Sequence, residues 1–381
     1  MRIEEMVECP LIDGHIHYPH MGMMESLIDT ADRLKLGRFN IVCTPEKARL
    51  SLVPDALHLK ANHPDRVYVF GGLNISAYFN ANDRVGEQFM GDIDLLRAAG
   101  CDGIKIIEGK PMMRKMLPVP SFDSPSFAPF WEKAAETGIP IVMHVNDPEE
   151  FWDRDRVPDW AAEQGWFYGD GTYINNEAQY SEVLNVLKRN PALNIIFAHF
   201  FFMSAQLERL ADLLEEFPGM KVDLTPGIEM YHNFSKDIDR VRDFFLKYQD
   251  RIIFGTDIGA KALLADPGAG IDFADSHGRV TIVRSFLETE GEFFMDPAGG
   301  FLFGDPSVPF LGIALPPDVL DKIYFRNFER AAGAQPTPVN PGVVIEMCGH
   351  IEGAIQAMGS IQPGVPGDAS VAQAVRAFFS Q

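Results

Sequence analysis

Leu11-Ile12-Asp13-Gly14-His15-Ile16-His17 is a short apolar run ending in two histidines spaced by two. Successive side chains on a strand point to opposite faces, so His15 and His17 share one face and Asp13 falls on the same period. Two imidazoles at one strand end are half of what a borderline ion such as zinc takes from a protein. An isolated H-x-H pair is more often a core or surface feature than a site. Its meaning therefore depends on the rest of the chain.

Working outward, strand-like segments recur with helix-length stretches between them. They are expected at Glu8–Gly14, Phe39–Thr44, Val67–Asn74, Gly103–Ile107, Ile139–Val145, Asn194–Ala198, Lys221–Thr225 and Ile252–Gly255. Several are almost continuously apolar, as strands are when helices cover both sides of a parallel sheet. Crossover helices are expected at Met21–Leu36, Lys47–Asn62, Glu87–Gly100, Ser126–Thr137, Ala178–Arg189, Ser204–Glu216 and Ile238–Tyr248. The run Gly138-Ile139-Pro140 after the fourth is a compact helix stop. Eight strand-helix units predict a (β/α)8 TIM barrel, with an open doubly wound sheet as the alternative.

Other polar residues mark the ends of these strands. His144 closes Ile141-Val142-Met143-His144, His199 closes Ile195-Ile196-Phe197-Ala198-His199, and Asp257 closes Ile252-Ile253-Phe254-Gly255-Thr256-Asp257. In a barrel these ends converge on one mouth. One such histidine would read as a satisfied core residue. Repetition at four strand ends reads as a functional cluster.

With L-I-D-G-H-I-H, His144, the F-A-H ending at His199 and the F-G-T-D ending at Asp257, the sequence resembles the amidohydrolase superfamily. It is most similar to the amidohydrolase-related branch that also contains aminocarboxymuconate-semialdehyde and aromatic-acid decarboxylases. Asn327 resembles the asparagine of that family's last barrel helix. The resemblance implies that His15, His17 and His144 are metal ligands and that Asp257 is a metal-proximal carboxylate able to take a proton. His199 is then a catalytic group in a one-metal enzyme, or a ligand in a two-metal one. Lys105, in G-I-K-I-I, stands where two-metal relatives carry a bridging lysine, and Ile107 replaces a histidine common in relatives. Zinc is the default ion on ligand type, with manganese, iron or cobalt as alternatives. Such an ion lowers the pKa of bound water toward about 7.

Three long stretches follow strands and belong on the catalytic face: Glu108–Ser126, Asn146–Asn176 and Gly259–Pro316. The last is expected to hold a helix at Arg279–Glu290 and then a Gly/Pro-rich apolar run. Substrate-contact candidates are Arg114 and Arg154 in these loops, with Lys110, Lys115 and Arg156, and Asn74 at the end of the third strand and Tyr231 and His232 after the seventh. A guanidinium above an ion could clamp a substrate carboxylate. Trp152, Trp160, Trp166, Tyr168 and Tyr173 either wall an apolar substrate or pack the loop. After an eighth helix at Pro317–Ala332, an extended stretch is expected at Val343–Met347 and helices at Ile351–Gly359 and Ser370–Phe379. The expected organisation is therefore a barrel over 1–332, carrying the 259–316 insertion, and a C-terminal extension over 333–381 on the barrel or on a partner in a homodimer.

The 381 residues carry 54 acidic and 33 basic side chains, a formal charge of -21. That sign argues against nucleic-acid partners and anionic membranes and leaves a small-molecule substrate, possibly a carboxylate. No run is long and apolar enough for a bilayer, and the first residues lack a secretory signal, so the expectation is cytoplasmic. Cys9, Cys43, Cys101 and Cys348 lie far apart and form no C-x-x-C, which suggests free thiols. No phosphate-binding glycine motif follows the first strand, so no nucleotide cofactor is expected. The leading reading is a hydrolase acting on an amide, ester or lactone carbonyl. Non-oxidative decarboxylation of an unsaturated or aromatic acid is the alternative, and a non-catalytic metal-binding protein the third reading.

Overall fold

The computed structural model describes residues 3–46, 48–264, 270–296, 304–361 and 367–381. Eight parallel strands follow one another in chain order: β1 (Ile12–Ile16), β2 (Arg38–Val42), β3 (Val67–Gly72), β4 (Gly103–Gly109), β5 (Ile141–Val145), β6 (Ile195–Phe197), β7 (Met220–Asp223) and β8 (Ile252–Ile253). The first and last strands are joined through the segment after β8. Gly14 N donates to Phe254 O at 2.8 Å, Asp257 N to His15 O at 2.9 Å and His17 N to Ile258 O at 2.8 Å. This closes the barrel, so the open sheet is excluded.

Alternation along the strands builds two cores. Ile12, Val42, Tyr68, Phe70, Val142, Ile196 and Ile253 point inward and are packed by Phe328 from the last barrel helix. The Phe328 ring meets Tyr68 edge-on at 5.0 Å and stacks on Phe70 at 6.0 Å. Tyr68 donates to Gly333 O, and Arg38 pairs with Glu329 at 2.6 Å, so this helix seals the end opposite the strand C-termini. Asn327 explains its own place: its side-chain amide donates to Gln249 O and Ile252 O, both at 2.7 Å. The larger outer core lies between strands and helices.

The helices that differ from expectation do so for local reasons. The second starts at Val53, with Pro54 in its first turn, rather than at Lys47, which lies outside the described residues. Helix Phe273–Glu288 begins six residues earlier than expected because Asp272 caps the amides of Ala274 and Asp275. An antiparallel hairpin, β9 (Glu290–Phe293) with β10 (Phe310–Ile313), follows it and was not anticipated. The Gly/Pro-rich run around 297–303 lies outside the described residues.

Val343–Met347 is not extended. It belongs to a helix over Pro341–Ile361. Its β-branched residues suggest a strand, but Pro341 and the Asn340 cap start a helix, and burial of Val344 and Met347 outweighs the weak local preference. This helix and Ser370–Phe379 pack on each other and on helices Val53–Asn62 and Val85–Ala99. All four cysteines are free. No helix among the described residues is long and apolar enough to cross a membrane.

Candidate active site

The strand C-termini bring His15, His17, Lys105, His144, His199, Asp223 and Asp257 to one end of the barrel. Among the described residues, His15, His17 and Asp257 are the three metal-ligand side chains whose ligand atoms all lie within 4.8 Å of one another. Asp257 Oδ1 is 3.0 Å from His17 Nε2 and 3.8 Å from His15 Nε2. Two imidazole nitrogens and one carboxylate oxygen suit zinc, manganese or a similar divalent ion. His17 Nδ1 is buried with no hydrogen-bond partner. It is the chemistry and spacing of the three donors, rather than that atom, that fit such an ion.

His15 is held by a group behind it. His15 Nδ1 lies 2.8 Å from Asp223 Oδ2, at the end of β7. Asp223 Oδ1 already accepts the amides of His199 at 2.8 Å and Thr225 at 3.1 Å. Lys105 Nζ sits 3.2 Å from His15 Nε2. Burial pushes the Lys105 amine down to about 8, although Asp223, Asp257 and Glu108 oppose the shift. Burial, then the charge of Lys105, holds His15 well below the ordinary imidazole range. Asp13 does not face the cluster. It accepts the amides of His15 and Thr256 and the Thr256 hydroxyl, pinning β1 to the segment after β8.

Asp257 has a positive φ of 63° and is held from two sides. Burial alone would raise its pKa. The hydrogen bond and charge of His17, then Arg279 and His199, outweigh burial and hold it well below the carboxylate range. Arg279 comes from the insertion helix and is itself fixed by Asp275 at 2.8 Å.

His144 lies beside this group rather than within it. Its Nε2 is 3.3 Å from Asp147 Oδ1, and Asp147 also accepts from Lys110 at 2.8 Å and Tyr168 at 2.7 Å. A carboxylate that takes those donors accepts the His144 proton at Nε2, leaving the lone pair on Nδ1. The His199 ring is 5.0 Å from His144 and 5.8 Å from His15. Its Nδ1 lies 3.3 Å from Thr225 O, and a carbonyl only accepts, so Nε2 keeps its lone pair. Burial, then His144, drives the His199 pKa down to about 3, so the ring is neutral at neutral pH.

His199, Phe200, Phe201 and Phe202 all have φ between 52° and 58°. A left-handed helical conformation costs an L-residue roughly 1–2 kcal/mol, so four in succession persist only where tertiary contacts impose them. Here Asp223 takes the His199 amide and Tyr180 donates to Phe201 O at 2.9 Å. The turn stacks the Phe202 ring on His199 at 5.0 Å.

The expected substrate contacts are dispersed. Arg114 forms a two-pronged pair with Glu182, at 2.9 and 3.2 Å. Arg154 is exposed, over the Phe167 ring. Tyr231 is a core residue that donates to Leu224 O. His232 packs at 4.6 Å on Phe310. Asn74 is exposed and accepts the Ser76 amide in a local turn. The loop aromatics pack on one another: Trp152, Trp160, Trp166 and Tyr173 surround Phe151 and Tyr168. Asp223, Arg279 and Asp147 were missed from sequence. Only Asp223 carried a signal, as an acid within an apolar strand end.

A family model described as Amidohydrolase matches residues 12–330. No curated protein sequence matches the chain. A TIM-barrel protein of Bordetella bronchiseptica is similar at 13% identity and TM-score 0.52, covering 85% of this chain and 98% of that one. An amidohydrolase-type protein of Staphylococcus aureus is similar at 15% identity and TM-score 0.51, covering 85% and 100%. A 2,6-dihydroxybenzoate decarboxylase from Rhizobium has 13% identity and TM-score 0.49, covering 85% and 98%. At these identities the first two likenesses show the fold and nothing further.

Proposed function

The chain belongs to the amidohydrolase family, and on that premise we propose that it hydrolyses an amide, ester or lactone of a small molecule. The observation that carries this reading is the setting of Asp257. Its Oδ1 faces His17 and its Oδ2 faces Arg279 at 3.3 Å, an arrangement that keeps the carboxylate ionised beside the imidazole nitrogens.

In this reading His15, His17 and Asp257 would hold a divalent ion, zinc by ligand type, with His144 beside them as a further imidazole able to join the set. When bound, the ion supplies Lewis-acid chemistry: it lowers the pKa of water and polarises a carbonyl. Asp257 takes a proton from the attacking water and returns it to the leaving group as the carbonyl C–N or C–O bond breaks. His199, neutral and with Nε2 free to accept, orients that water or a substrate hydroxyl. Lys105 Nζ faces His15 Nε2, which carries the lone pair that the ion would take.

Of the cations expected to clamp a substrate carboxylate, Arg114 is on Glu182 and Lys110 on Asp147, while Arg154 is exposed over Phe167. Arg279, which does reach the cluster, is engaged by Asp257 and Asp275. This supports hydrolysis over decarboxylation. The test is turnover of a panel of lactones, esters and amides by the zinc-loaded protein in ¹⁸O water. Label in the acid product is the expected result. Carbon dioxide release from unsaturated or aromatic acids, with no hydrolysis, would overturn the reading.

A further inference from the structure

We infer that Asp223 is a positioning residue that sets both the tautomer of His15 and the place of His199. The inference rests on the reading of His15 as a metal ligand. Asp223 is buried at the end of β7, and both of its oxygens are used. Oδ2 faces His15 Nδ1 at 2.8 Å, while Oδ1 accepts the His199 and Thr225 amides. A carboxylate only accepts, so the His15 proton is held on Nδ1 and the lone pair on Nε2. Nε2 is the atom that faces Asp257 and Lys105. With the proton on Nε2 instead, His15 could not ligate an ion through the atom that faces the cluster.

The second role is mechanical. His199 begins the run of positive-φ residues, and the amide of that first residue ends on Asp223. Its imidazole is held by Thr225 O, and the Thr225 amide ends on the same Asp223 oxygen. One carboxylate thus couples a histidine on β1 to the turn after β6 across β7. Orientation of a ligating histidine by a carboxylate behind it is worth about 10- to 100-fold in metal affinity.

Asp223→Asn separates this role from simple packing. The amide oxygen is needed by the two backbone donors, so its NH2 must face His15 Nδ1. That arrangement favours the opposite tautomer, with the proton on Nε2. The measurement is the ¹⁵N imidazole shifts of His15 in full-length metal-free protein, with zinc affinity read by competition against a chelating dye. In the wild type Nδ1 should be the protonated nitrogen. In the folded variant the two shifts should exchange character and zinc affinity should fall about 10- to 100-fold. A wild-type His15 protonated at Nε2, or a folded variant with unchanged tautomer and affinity, would overturn the inference. The wild-type measurement decides even if the variant does not fold. Absence of zinc binding in the wild type, with the tautomer as expected, would instead count against the hydrolase reading.

Discussion

Arg279 Nη1 lies 3.3 Å from Oδ2 of Asp257, so a helix of the long insertion reaches the carboxylate that follows β8. The same guanidinium donates from Nε to Asp275 at 2.8 Å. Helix Phe273–Glu288 therefore borders the candidate site through a buried ion pair.

Removing that guanidinium should misplace Asp257 while leaving His15 and His17 in place. Arg279→Met is expected to lower kcat/KM by roughly 10- to 100-fold, as loss of a group that orients a reacting one does. Circular dichroism and kinetics on the purified variant check this. Turnover near the wild-type level would show that Asp257 keeps its place without Arg279.

Asp257→Asn keeps the volume and removes the proton acceptor. A loss of about 10²- to 10⁴-fold in kcat is expected, with the fold unchanged. Activity close to wild type would take the proton-transfer role away from Asp257.

Replacing either member of the strand pair should empty the site. His15→Ala and His17→Ala are each expected to lose tightly held metal, measured as equivalents per chain by elemental analysis. Unchanged metal content in both variants would remove β1 from the ligand set.

Glu229 offers a pH test away from the ligands. Both of its carboxylate oxygens are buried without a hydrogen-bond partner. Burial, with Glu150, Asp147 and Glu149 adding to it, raises its pKa from 4.5 to about 8. A raised carboxyl pKa means that the folded state holds the proton more tightly. Its contribution to stability is full below the unfolded pKa and is lost as pH rises from about 4.5 through about 8. Glu229→Gln should match the wild type near pH 4.5 and exceed it by roughly 2–4 kcal/mol at pH 8, from the shift at about 1.4 kcal/mol per pH unit. Urea unfolding at both pH values measures this. A constant difference between variant and wild type would refute it.

Phe328 tests the closed end of the barrel. Phe328→Ala should cost about 3–5 kcal/mol, because the strands around it cannot collapse into the space. A cost under about 1 kcal/mol in urea unfolding would show that the barrel interior does not depend on this plug.

Much of this architecture was legible in the chain because strand and helix periods are local. Short, nearly continuous apolar runs followed by helix-length stretches identify eight units, and a polar residue after each of several runs marks the mouth. Val343–Met347 was misread for the same reason. A β-branched run carries no record of the Asn340 cap or of the surface that buries Val344. The hairpin of β9 and β10 was not read because its two strands are separated by the residues from 294 to 309.

The site divides along the same line. His15, His17, His144, His199 and Asp257 announce themselves, since a histidine or acid ending an apolar strand is conspicuous in the one-dimensional pattern. Arg114 showed the opposite weakness: its charge suggested a substrate clamp, but pairing with Glu182 across 68 residues depends on tertiary distance alone. Asp147 is similar, because its meaning comes from His144, Lys110 and Tyr168 meeting at one carboxylate.

By itself the sequence determined the barrel, the family likeness and the types of groups gathered at the strand ends, because side-chain alternation and residue chemistry are properties of short segments. Only the tertiary structure decided which imidazole nitrogen is free, that Asp223 faces His15 and Arg279 faces Asp257, and that a run of left-handed residues carries His199. Those features arise from donors and acceptors far apart in the chain, whose pairing becomes compulsory once burial removes water as the alternative partner.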